Sequence, residues 1–151
     1  MSQNQAGAEQ CAVVTWKSAL YDVLDCVFSA RSNYDTMVVP MLTRLSESPR
    51  LCDTNDLKFS HFINDVDSQG QDKFETYAVR YLSRSKLSGR SKVEVCSDVA
   101  TFFVKRDIQT LSAIQSLSDS VPEDLVLVHL QTQVRGIGPA LSHYMLSLFG
   151  F

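Results

Sequence analysis

An all-α fold is predicted for this chain of 151 residues, as a single domain of seven to eight short helices. Three observations predict it. Apolar residues recur at i, i+3, i+4 and i+7 along most of the chain, the spacing that gathers them on one helical face. No segment alternates apolar and polar residues as a half-buried strand would. Capping residues, glycines and prolines stand where the apolar stripes begin and end. The composition, 44% hydrophobic and 21% charged, is that of a globular domain and excludes collagen, rods and wholesale disorder.

Residues 1–8 are polar and are expected to form a disordered tail, with the helical domain spanning 9–151. Leu20, Val23, Leu24, Val27 and Phe28 make the first apolar stripe. Arg31-Ser32-Asn33 is a turn that caps a second helix through Met37, Val38, Met41, Leu42 and Leu45. Pro40 either kinks that helix or marks a later start. Residues 46–59 read as a loop, and Ser60 is placed as the cap of a short helix from His61 to Val66. Phe74, Tyr77, Ala78, Tyr81 and Leu82 form the next stripe, ahead of a polar loop over 83–91. Ser91 and Glu94 are spaced as a capping box for a helix buried through Cys96, Val99, Ala100 and Phe103. A short helix near Thr110 to Leu117 precedes one opened by Ser120 and Pro122. Pro139 starts the last helix, with Leu141, Tyr144, Met145 and Leu148 on its stripe.

Four cysteines, Cys11, Cys26, Cys52 and Cys96, lie far apart with no metal-ligand spacing, which predicts structural thiols in a reducing cytoplasm. His61, His129 and His143 share no ligand spacing either, so neither a metal nor a cofactor is expected. Ser142 and His143 are adjacent and would point about 100° apart on a helix, so they form no nucleophile–base pair. Asp22, Asp25, Asp35, Asp98 and Asp107 are expected on solvated faces and caps. Trp16 is expected to anchor the core edge. No apolar run approaches the roughly 20 residues that span a bilayer, and no secretory signal is read at the start.

Net charge is −3, so the chain is not basic overall. Between Thr76 and Val93, however, there is no acid, and Arg80, Arg84, Lys86, Arg90 and Lys92 give +5 locally against −8 elsewhere. Such a segment could neutralise phosphates. Val134-Arg135-Gly136-Ile137-Gly138-Pro139 carries the sharper signal. Two glycines around one apolar residue, between amphipathic helices, permit a tight turn and a close backbone approach. The free N–H groups of the helix that follows favour an anion. This is the arrangement of a helix-hairpin-helix, which grips the DNA backbone without reading sequence.

Together with that hairpin, Phe28-Ser29-Ala30-Arg31-Ser32-Asn33-Tyr34-Asp35 resembles the "LSAQTTD"-type segment of the helix-hairpin-helix DNA glycosylases, the endonuclease III-like superfamily. The resemblance covers about residues 20–151. It implies that Arg31 stands where the family's gap-filling glutamine lies. It also implies that Ala140 occupies the position of the lysine nucleophile, so Schiff-base chemistry is not expected. The family's essential aspartate would fall beyond Phe151, and no catalytic residue is assigned. The expected function is a non-catalytic DNA-binding module with a shortened glycosylase-like fold. Arg135, Gly136, Ile137, Gly138, Arg31, Arg84, Lys86 and Arg90 are its candidate contacts. The alternative is a protein–protein interaction module on the same scaffold, which the acidic net charge favours. A third reading is a monofunctional glycosylase completed by a further C-terminal segment or a partner. Leu141, Tyr144, Met145, Leu148, Phe149 and Phe151 place apolar surface near the end of the sequence. Folding back on the first helices, a homodimer or a partner is expected to bury part of it.

Overall fold

The computed structural model describes residues 15–151 and is helical almost throughout. The expected tail, the start of helical pattern at Glu9 and Cys11 lie outside the described residues. Helix α1, Ala19–Ser29, begins later than its pattern suggested, because residues 15–18 are not helical. The carboxylate of Asp53 holds them so, accepting from the backbone N–H groups of Lys17 and Ser18 and from the Ser18 hydroxyl. Ser18 in turn caps the helix by accepting from the Tyr21 amide.

Every residue of α1 from Ala19 to Phe28 is buried. Around it stand α2 (Val39–Ser46), α3 (Phe59–Asp67), α5 (Lys92–Val104) and α9 (Pro139–Leu148). Helix α4 (Lys73–Tyr81) packs on α3 and α5, and α6 (Leu111–Gln115) follows. A π-helical turn, Tyr34–Val38, leads into α2, and Pro40 sits in the first turn of α2. The wider turn fits a proline, which brings no N–H to the ladder and is tolerated where a helix begins. The penultimate helix likewise opens as α7 (Val121–Asp124), widens to π over Leu125–Leu130 and closes as α8 (Gln131–Gln133).

Two local expectations fail. Helix α3 starts at Phe59, not after Ser60. The Gln109 side chain takes the Ser60 amide, while the imidazole of His61 accepts from the Lys58 N–H and caps the helix. The polar loop over 83–91 contains a two-residue antiparallel ribbon, β1 (Lys86–Leu87) with β2 (Arg90–Ser91). Ser88 and Gly89, both at positive φ, close it. Ser91 does cap α5, by accepting from Val93, but Glu94 pairs with Arg90 rather than completing the box.

Asp22 and Asp25 are core residues, which corrects their placement on solvated faces. The Asp25 carboxylate accepts from Trp16 Nε1 at 2.8 Å, the Tyr34 hydroxyl at 2.6 Å and the Tyr144 hydroxyl at 2.7 Å. One ion thereby joins the residues before α1, the π turn and α9. Asp22 is less well served, for its Oδ2 has no partner. Burial, and then the neighbouring charges of Asp25 and Asp53, push its pKa up to about 8 from 3.8. The folded chain keeps this proton at pH values where the unfolded chain releases it. Stability therefore falls as pH rises from about 4 to 8, by up to ~1.4 kcal/mol per pH unit. Urea unfolding at pH 5 and 7.5 should show that loss, and Asp22→Asn should remove most of it.

Candidate functional site

Leu130, Val134 and Ile137 are buried, so the chain between α8 and α9 is pinned to the core by apolar side chains at both ends of the turn. Gly136, at φ +106°, makes the reversal; there a Cβ would lie 3.6 Å from the Leu87 side chain and strain the backbone. Gly138, at φ −100°, is ordinary extended backbone, and a Cβ there would meet nothing within 4 Å. The hairpin thus rests on its buried apolar side and faces open space on the other.

Its amides follow the same division. Val134 N–H donates to the Leu130 carbonyl and Ile137 N–H to the Val134 carbonyl. The N–H groups of Arg135, Gly136, Gly138, Ala140 and Leu141 have no acceptor among the described residues. No side chain caps α9; Ser142 instead gives both its N–H and its hydroxyl to the Gly138 carbonyl. Pro139 and Ala140 are exposed, so the N-terminus of α9 opens to solvent with its dipole uncompensated.

Helix α9 packs on α1. Tyr144 meets Asp25, and one turn nearer the hairpin Cys26 Sγ meets the Leu141 carbonyl. Residues 90–92 bring the Arg31 turn to the hairpin's end of the molecule, since Arg90 donates to the Arg135 carbonyl and Lys92 to the Phe28 and Ala30 carbonyls. The ribbon arrives there through Leu87, which touches Gly136. Arg31, Lys86 and Arg135 are exposed at this end, and none is ion-paired with a described residue.

The remaining cations of the +5 segment are not gathered into a patch. Arg84 pairs with Glu75 at 2.8 Å, and Arg80 donates to the Gln69 side chain. Arg90 is the clearest departure from the expected phosphate contact. Its guanidinium bonds Glu94 and Asp98 and donates to the Arg135 carbonyl at 2.9 Å, so it braces the hairpin from behind. Ile137 offers only its backbone, since its side chain is in the core. Lys92 is fully buried.

Signals for the buried ions were present in the sequence. Lys92 precedes Cys96, Val99 and Phe103 at i+4, i+7 and i+11, which puts it on the core face of α5. Asp25 lies in a stretch apolar on all sides, and such a helix is buried all round.

Cys26 and Cys96 are buried free thiols, raised in pKa above all by that burial, and Cys52 is exposed. Among the described residues no group of His, Cys, Asp and Glu is placed to hold a metal. Among the described residues no helix is long and apolar enough to cross a membrane. Met145, Leu146 and Phe149 are buried within the chain, so the expected folding back of the last helix is found. Comparison with family models, with curated proteins and with solved structures returned no match.

The two glycines differ in what they tolerate. Gly136→Ala should cost about 1–2 kcal/mol in urea unfolding, because alanine is held at positive φ. Gly138→Ala should stay within about 0.5 kcal/mol of wild type.

Proposed function

We propose that this domain binds duplex DNA through its phosphate backbone, as a binding module rather than a catalyst, with the hairpin as its grip. The observation that carries the reading is the set of unpaired amides of Arg135, Gly136, Gly138, Ala140 and Leu141 in the hairpin and at the exposed N-terminus of α9. Backbone N–H groups aimed outward from a helix start favour an anion. They carry no sequence information, so contact with phosphates positions the protein without selecting bases. Arg135 belongs to the hairpin itself, and Arg31 and Lys86 add exposed positive charge on the turn and ribbon that adjoin it.

The carboxylates near this end support a binding role. Asp25 is sequestered by three donors, and Glu94 and Asp98 are engaged by Arg90. Ala140 offers no amine at the position where the resemblance would place a nucleophile. For the alternative, a protein-binding module, the apolar face of α9 gives little support, because much of it is covered by α1 and the π segment Leu125–Leu130 of the same chain.

Binding to a duplex oligonucleotide should weaken steeply with salt, since each neutralised phosphate contributes a slope of about −0.9 in log K against log[salt]. Replacing Arg31, Lys86 and Arg135 together by glutamine should flatten the slope by roughly 2–3. The same exchange at Arg84 and Arg90 should change it by less than about 1. Fluorescence anisotropy at 50 and 200 mM salt makes the measurement, and absence of binding at the lower salt would contradict the reading.

A further inference from the structure

Arg31 stands at φ +56°, a left-handed backbone that suits glycine and is strained for arginine. It lies just past the end of α1, where a glycine would end the helix without strain. The guanidinium is exposed and has no ion-pair partner among the described residues. A strained residue persists only where its surroundings fix it. Here the surroundings reach in from α5.

The ammonium of Lys92 spends its three donors on this one turn. It bonds the Phe28 carbonyl at 3.1 Å, the Ala30 carbonyl at 2.5 Å and the Ser32 hydroxyl at 3.1 Å. The last two flank Arg31 directly. No carboxylate is among these partners, so the charge is met by the carbonyls at the C-terminal, negative end of α1. The lysine is 1% exposed, and an ion is costly to place there. Ending a helix does not require it.

We propose that Lys92 is a positioning residue for Arg31, fixing the turn so that the arginine side chain is presented to DNA beside the hairpin. The proposal rests on the DNA-binding reading above and adds a division of labour within it. Arg31 touches the nucleic acid, and Lys92 acts only through Arg31. Burial lowers the lysine pKa, yet the three acceptors favour the ammonium form, which alone has three protons to give.

The test is a double-mutant cycle on duplex binding at low salt, with wild type, Lys92→Met, Arg31→Gly and the double variant. Loss of Lys92 is expected to weaken binding about fivefold when Arg31 is present and to change it little when residue 31 is glycine. Equal losses in both backgrounds would show a general structural effect and overturn the proposal. If Lys92→Met does not fold, Ser32→Ala removes one acceptor and runs the same cycle, with the same outcomes deciding. Trypsin gives a second measurement that needs no DNA. Cleavage after Arg31 should accelerate in the Lys92 or Ser32 variant, relative to cleavage after Arg135 in the same molecule. An unchanged ratio would overturn the claim that Lys92 fixes the turn. Wild type that fails to bind DNA while the ratio changes would overturn the DNA reading, and this use of Arg31 with it, but leave the tether standing.

Discussion

A helix buried on every side must find protein partners for each polar group it carries, and α1 sets that requirement for the whole molecule. The carbonyls of Phe28 and Ala30 at its C-terminal end have no continuing helix to bond. Lys92 meets them with an ammonium. Of the helix's two buried carboxylates, Asp25 is met by an indole and two phenols, while Asp22 keeps a proton instead. The Lys92 and Asp25 contacts each draw a distant element onto α1, the start of α5 in one case and α9 in the other. The end of the molecule where these elements converge is the end that carries the open hairpin.

That convergence gives the candidate site its character. The hairpin is held by buried apolar side chains and by Arg90 behind it, so its solvent side has little freedom to collapse. Preorganised amides lose little on meeting an anion, which is how a backbone turn can bind phosphate without a dense basic surface. A net charge of −3 is compatible with such a site, because the favourable groups are local and the acids lie mainly elsewhere or in ion pairs.

Much of the helical order was legible from spacing. The stripe from Leu20 to Phe28, the Ser91 cap and the restart at Pro139 each correspond to an observed element. Periodicity reads one helix at a time, and its failures have that origin. The five cations between Thr76 and Val93 form a patch only along the chain. In space Glu75, Gln69, Glu94 and Asp98 draw three of them apart, and the core takes Lys92. Asp22 and Asp25 read as polar faces because the helices that cover them arrive from far along the sequence. The hairpin was visible as a glycine pattern, but that its amides lack acceptors is a fact of three-dimensional packing.

The amide groups themselves give the most direct measurement. Titrating a short duplex into isotopically labelled protein, with backbone amide chemical shifts followed by NMR, reports which N–H groups meet the ligand. The amides of Gly136, Gly138 and Ala140 should shift most, with those around Arg31 next, while the loop over 49–57 on another part of the surface stays still. Shifts confined to that loop, or an undisturbed hairpin in a protein that nonetheless binds, would contradict the assignment of the glycine corner as the phosphate grip.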